Sequence, residues 1–402
     1  MTSINHLHKF TLLLIIGVSV LLAGCGETPS GPPIKIGLIA PMSGPLASSS
    51  EAIQRGILLA IDEINAEGGV LGRPLELAVR DVHNDPEAGT AALNELAKQE
   101  EIVAVFGGIF SPVMVAQLDA IHQLEIPLIN PWGSMTAITK NGYAPNYAFR
   151  VSVSDEQADE FLVRYAVDVI GARRPGIIAD TSGWGDANVT GLTHWLAQLG
   201  LEPVGIARFD QGDTDMSAKM KELQAAGADS LLMVANAAEG AAIARGRATL
   251  GWDVPIVSHW GISGGRFPEL AGLENTRNIF TLQTYSFFGD LSPKGETFLQ
   301  AYHDRFGTKD PEDVLAPVGV VHGYDGVHLL AQAIAGADST EGAAIQVALE
   351  NLETYDGLVK KYDPPFTVDR HDALLATDYI MTVWHDGRLV PATQPQLTQV
   401  SP

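Results

Sequence analysis

The chain has 402 residues, 48 acidic against 25 basic side chains, a formal net charge of -23, one cysteine, and 46% hydrophobic residues. That hydrophobic share excludes wholesale disorder, and at roughly 100 to 200 residues per domain the length suggests two domains or three. The acidity, uninterrupted by any run of lysines and arginines, excludes nucleic acid and anionic headgroups as electrostatic partners, and one cysteine excludes an intrachain disulfide, a Cys-rich zinc site and a CxxC redox pair.

Lys9 precedes Phe10 to Leu22, thirteen residues that are nearly all apolar. A mature membrane span needs about 20, so this length fits instead the apolar region of a secretory signal with small residues at its cleavage site. The run stops at Ala23-Gly24-Cys25, and Leu22 to Cys25 resembles the bacterial lipoprotein box. That resemblance implies a signal over 1–24 and a lipidated Cys25 as the first mature residue, anchoring an exported chain at a membrane surface in the periplasm or on the cell surface. Several acyl chains at about 0.8 kcal/mol per buried CH₂ make a stable anchor. The Pro/Gly-rich segment 25–33 reads as a tether.

Short apolar runs then alternate with helical patterns. Strands are expected at Ile34 to Ala40, Leu75 to Arg80, Ile102 to Phe106 and Ile126 to Ile129, with helices over Glu51 to Glu67, Pro86 to Gln99 and Pro112 to Leu124 between them. A second series follows Arg150 to Ser154. Its helices are Asp155 to Ile170, Asp186 to Leu199, Met216 to Ala226 and Glu239 to Leu250, and its strands Gly176 to Ala179, Pro203 to Phe209, Ser230 to Val234 and Pro255 to Val257. Alternation at this spacing predicts doubly wound parallel sheets, and two such series predict two similar α/β lobes. The tail adds helices near Lys294 to Phe306, Val318 to Ala335 and Glu341 to Leu352, then Phe366 to Val368 and Tyr379 to Trp384 as an antiparallel element turning at His385 to Arg388.

Ligands of open parallel sheets sit beyond the carboxyl ends of the strands. The residues there are Gly107-Gly108-Ile109-Phe110-Ser111-Pro112, Asn130-Pro131-Trp132-Gly133-Ser134, Asp180 to Asp186 with Trp184 in a Gly-flanked loop, and Ser258-His259-Trp260-Gly261. Ser111 fits an N-cap and Pro112 a first helical turn, leaving backbone N–H groups for a carboxylate-sized anion, or only for the cap itself. Gly133 and Ser134 offer backbone N–H and hydroxyl, and three of the six tryptophans, Trp132, Trp184 and Trp260, stand where a ligand or the opposite lobe would pack. Asn236, after the strand ending at Val234, joins these as a candidate binding residue.

Ile34 to Leu46, Ala60 to Leu75, Gly107 to Ser111, Asn130-Pro131, Asp213 to Met220 and Tyr355-Asp356-Gly357 follow, in order, the pattern of the branched-chain (leucine/isoleucine/valine) amino-acid-binding proteins of ABC transporters. The chain resembles that type I periplasmic binding protein family over roughly 350 residues. The resemblance implies two Rossmann-like lobes joined by a three-crossover hinge, with lobe 1 formed by 34–151 plus 284–355 and lobe 2 by 152–283 plus 356–402. It also implies a small ligand held between the lobes, a monomer, delivery to an ABC permease, no cofactor and no chemistry. Ser111 matches the serine that bonds a ligand carboxylate, Trp132, Gly133 and Ser134 the triplet that holds the amino-acid head group, and Trp184 a position usually tyrosine. Trp260 falls where amino-acid binders often carry an acid for the ligand ammonium, and Ser49 where a tyrosine often closes the pocket. The ligand expected is therefore a hydrophobic amino acid or a related carboxylate or amide, carried for transport or presented to a sensor.

An enzyme reading rests on Gly261-Ile262-Ser263-Gly264-Gly265, which satisfies Gly-x-Ser-x-Gly, with Asp325 and His371 in hydrolase order. Among 41 glycines such a match arises readily by chance. The eleven histidines show no metal-binding spacing, and His322 and His328, six apart on one helix, lie on different faces.

Overall fold

The computed structural model describes residues 30–392, so the signal, Cys25 and most of the tether lie outside the described residues. Five parallel strands, β1 (Ile34–Ala40), β2 (Leu75–Asp81), β3 (Ala104–Gly107), β4 (Leu128–Asn130) and β5 (Ala148–Arg150), form a sheet in the order β2-β1-β3-β4-β5. A second sheet takes β6 (Pro175–Asp180), β7 (Ile206–Phe209), β8 (Ser230–Val234), β9 (Ile256–Ser258) and β10 (Ile279–Gln283) in the corresponding order β7-β6-β8-β9-β10. Both halves thus wind 2-1-3-4-5, and each has its switch point between its first and third strands.

Helices fill the crossovers: α1 (Ala47–Ala66), α2 (Pro86–Glu95) and α3 (Ser111–Leu124) in the first half, then α4 (Asp155–Arg164), α5 (Gly183–Gln198), α6 (Ser217–Ala225), α7 (Ala237–Thr249) and α8 (Phe267–Ala271) in the second. After β10 the chain returns to the first half as α9 (Pro293–Phe306), α10 (Pro317–Ala337) and α11 (Gly342–Glu350), forms a two-stranded ribbon of β11 (Tyr355–Asp356) and β12 (Lys361–Tyr362), and crosses back a third time. There β13 (Ile380–His385) adds antiparallel to β10, and β14 (Arg388–Pro391) adds antiparallel to β13 at the sheet edge.

Burial explains these choices. Strands β6 and β8 are buried along their whole length, the continuous apolar pattern of a sheet covered on both faces. Helix α10 is buried on nearly every side because it packs against α1 closely enough that a Cβ on Gly56 would lie 1.9 Å from the Val320 carbonyl oxygen. Each Val, Ile or Leu so buried contributes about 1.5–3 kcal/mol.

The expected alternation holds, with specific corrections. Strands β5 and β10 are not among the expected ones; β5 has only three residues, and β10 has five. The helices expected to run on to Gln99 and Ile170 change to one π-helical turn each, at Leu96–Glu100 and Tyr165–Val169. Phe366 to Val368 is not a strand: Phe366 is a buried plug, Thr367 makes only an isolated bridge to Arg370, and β13 finds its partners in β10 and β14 instead.

Candidate functional site

The carboxyl ends of the two sheets face each other. Of the candidates, Ser111, Trp132, Ser134, Trp184, Asn236 and Trp260, joined by Ile109, Phe110 and Gly261, line one narrow cavity of about 10 Å³ between the halves. That is room for about one water, far below the usual 300–1,000 Å³ of small-molecule pockets, so the halves are closed on each other here. Gly133 does not line it; a Cβ there would lie 2.1 Å from Met114 Cε and 3.1 Å from Ser111 Oγ, so the glycine makes room for packing under the loop.

Three helices begin at this cavity. Ser111 is the first residue of α3, Trp184 the second of α5, and Asn236 the N-cap of α7. Two expectations change in detail. Ser111 lies inside the first turn with Phe110 as N-cap, and its Oγ accepts from the Met135 N–H at 3.3 Å instead of capping. Trp184 sits in the first turn of α5, behind the true N-cap Ser182, whose Oγ accepts from the Gly185 N–H at 3.4 Å. Converging amino termini bring partial positive charge and free N–H groups to one place, which suits an anion.

The loop after β4 is shaped by Asn130. Its Oδ1 accepts from the Trp132 N–H at 3.1 Å and its Nδ2 donates to the Gly133 carbonyl, an Asx turn that presents Trp132 to the cleft. Buried Arg150, at the end of β5, fixes the same loop by donating from Nη1 to the carbonyls of Ser134 (2.8 Å) and Met135 (2.9 Å). Its Nε pairs with Asp372 on the third crossover at 2.6 Å, and Thr139 completes the cluster from 2.7 Å.

Across the cleft the Trp184 indole N–H is shared between Ser134 Oγ at 3.0 Å and Asp155 Oδ1 at 3.4 Å. The Trp260 N–H donates to His259 Nδ1 at 2.9 Å, which leaves the proton of His259 on Nε2, facing Asp155 Oδ1 at 3.1 Å. Asp155 Oδ2 is buried without a hydrogen-bond partner. One turn along α4, burial and then the nearby Asp155 hold the Asp159 carboxyl well above the usual carboxylate range. Nothing in the sequence marks Asp155 and His259 as a pair: His259 follows β9, but Asp155 follows the three-residue β5, which has no strand signal of its own.

Ser111 Oγ and Ser134 Oγ each accept one bond from the protein, so each O–H proton remains to be donated. No Asp, Glu, Lys or Arg lines the cavity. The arrangement is rich in donors and flanked by the apolar Ile109, Phe110 and three indoles. The halves also meet directly, since the hydroxyls of Ser48 and Ser49 on α1 donate to the Gly264 carbonyl.

The hydrolase residues do not assemble. Ser263 Oγ donates to the Trp260 carbonyl at 2.7 Å and accepts from Gln283 Nε2 at 3.0 Å. His371 is engaged with Ala148 O and Glu350, and Asp325 with Leu358, Val359 and Tyr362. Among the described residues no group of three or more His, Cys, Asp and Glu is placed to hold a metal, and no helix is long and apolar enough to cross a membrane. His322 and His328 face different partners, His322 bonding Pro131 O and Thr284, and His328 lying over Tyr324 and Tyr355.

Comparison with known proteins agrees with this architecture. Residues 33–388 match the family model described as periplasmic binding protein. The Leu/Ile/Val-binding protein homolog 3 of Brucella melitensis is 24% identical over 361 residues, 89% of this chain and 93% of the relative. A type 1 periplasmic binding protein from Bordetella pertussis superposes with a TM-score of 0.82 at 25% identity, covering 90% of this chain and all of the other. A solute-binding protein of an ABC transporter from R. palustris, solved with 4-hydroxybenzoate, gives 0.77 at 20% identity, covering 90% and 95%. The chain therefore belongs to the periplasmic binding protein family, in its type I, Leu/Ile/Val-binding-like form.

Proposed function

We propose that the protein is an exported solute-binding lipoprotein, anchored through Cys25, that binds a small carboxylate with an apolar or aromatic body and delivers it as a monomer to an ABC permease. One observation carries the ligand class: three helix amino termini and two serine hydroxyls with undirected protons converge on a cavity whose lining contains no acid. Such a set stabilises acceptor oxygens and leaves a cation without a partner in the lining. The ligand carboxylate takes the Ser111 and Ser134 hydroxyls, Gly133 shapes the loop beneath them, and the apolar body lies on Trp132, Trp184 and Trp260 beside Asn236. Binding shifts the balance between open and closed lobes by the difference in affinity for the two forms, with no bond made or broken.

A second reading has its own support. The free Oδ2 of Asp155, behind Trp184 and Ser134, could neutralise an ammonium and so serve an amino acid, the class named for the Brucella relative. A thermal-shift series with leucine, phenylalanine, phenylacetate and 4-hydroxybenzoate separates the two. At about 100 times the dissociation constant the true ligand stabilises by roughly 2.7 kcal/mol. A shift with the acids that lack an amine, weakened by Ser111→Ala, supports the first reading; a shift confined to leucine and phenylalanine and lost in Asp155→Asn supports the second. No shift with any of the four removes both.

A further inference from the structure

A larger cavity of about 290 Å³ lies beside the site and shares no lining residue with it. It is bounded by Ser263, Gly265, Phe287 and Trp384 on one side and by Val314 to Pro317, the entry to α10, on the other. Between the two stand a pair of indoles, which line the site, and the segment Ser263 to Gly265, whose Ser263 and Gly265 line the larger cavity. Trp132 and Trp260 are both buried, with ring centroids 5.2 Å apart and planes inclined by 36°.

The two occupy corresponding places, each two residues beyond the fourth strand of its own half, since β4 ends at Asn130 and β9 at Ser258. The single turn Trp260–Gly264 carries the separation: Trp260 and Gly261 face the site, whereas Ser263 faces the larger cavity. The outer ring of Trp132 reaches the same boundary. A Cβ on Gly264 would lie 3.2 Å from its Cζ2, and a Cβ on Gly319, two residues past Pro317, 3.0 Å from its Cζ3. Side chains larger than hydrogen at these two glycines would push the indole aside, so the glycines seat it.

We propose that the tilted Trp132–Trp260 pair is a septum that sets the upper size of the ligand, and that the larger cavity is a latent extension of the same site. Removing either indole opens the site, which has only about 10 Å³ of its own, across the Ser263–Gly265 segment toward a space of about 290 Å³. The merged site takes a long aryl carboxylate whose head group stays at Ser111 and Ser134 while its body crosses toward Phe287 and Leu315. The proposal rests on the carboxylate reading for the head group only; the septum itself rests on the packing of the two indoles.

The test is calorimetry with 4-hydroxybenzoate as the short probe and biphenyl-4-carboxylate as the long one, on the full chain, Trp132→Ala, Trp260→Leu, and Trp132→Ala combined with Leu315→Trp. Circular dichroism identifies any variant that does not fold, and the two single variants reach the septum from opposite halves. In the unaltered protein the long probe binds at least about tenfold more weakly than the short one; each single variant tightens the long probe by about tenfold or more, and Leu315→Trp reverses the gain. Equal binding of both probes to the unaltered protein overturns the septum, as does the absence of any gain in the variants. Gain in the variants without short-probe binding to the unaltered protein sustains the septum and removes the carboxylate reading; short-probe binding without gain does the reverse.

Discussion

Two buried carboxylates hold the chain where it passes between the halves, and they are held in different ways. Asp372 faces a full opposite charge in Arg150 at 2.6 Å, inside a cluster that also carries the Ser134 and Met135 carbonyls. Asp325, on α10, is held by dipoles: the N–H groups of Leu358 (2.8 Å) and Val359 (3.1 Å) and the Tyr362 hydroxyl (2.9 Å). Burial pushes the Asp325 carboxyl up to about 6, against the pull of those donors. Breaking the first anchor strands a charge, whereas the second can shed its charge by taking a proton.

The largest effect should come from the charge pair. Arg150→Met leaves Asp372 buried without its partner and is expected to cost about 3–5 kcal/mol in denaturant unfolding. It also frees the loop of Ser134, so ligand affinity should fall with stability; an unchanged unfolding midpoint would show the pair to be dispensable.

Asp325→Asn places an amide NH₂ against N–H and O–H donors, at a cost of about 1–3 kcal/mol. The pH dependence separates this anchor from the other. A folded pKa above the unfolded value means that the native chain holds a proton the unfolded chain lacks between about 4 and 6. The stability from this group is therefore full below about pH 4 and lost as pH rises through 6, a difference of roughly 3 kcal/mol. The variant lacks that loss, so its deficit should shrink as pH rises from 4 to 7. A constant deficit would place the titration elsewhere. His322, one turn earlier on α10, runs the opposite way: burial lowers its pKa to about 4, so its stability is present above about 6.5 and lost as pH falls through 4.

The smallest effect should be Trp184→Phe. It keeps the ring but removes the N–H shared by Ser134 and Asp155, costing about 1 kcal/mol of stability. Because the bond crosses the cleft, ligand affinity should change more than the melting temperature does, and a change in stability alone would make Trp184 a packing residue.

Much of the site was legible because parallel sheets deliver ligand residues at strand ends. Ser111, Trp132, Ser134, Trp184, Asn236 and Trp260 all follow that rule and do share one cavity. Gly133 follows it too and turns away, because spacing along a loop does not say which residue the Asn130 turn directs inward. Asp155 escaped notice as an ordinary acid in the first turn of a helix. Only the tertiary approach of His259, 104 positions later in the chain, distinguishes it. The three-residue β5 and the lone plug Phe366 carry too little periodicity to be read, and both owe their conformation to neighbours far along the chain.

The serine contacts to the Gly264 carbonyl have a consequence for selectivity. A bond from Ser48 or Ser49 to that carbonyl forms in the shut molecule whatever occupies the cleft, so it favours shutting equally for a good ligand, a poor one or water. Strengthening it raises every affinity by the same factor and the discrimination ratio by none, while also increasing the fraction of empty molecules that offer the loaded-looking surface. In the proposed mode of action selectivity is therefore served by keeping such bonds few, and by leaving the decision to the groups that touch the ligand.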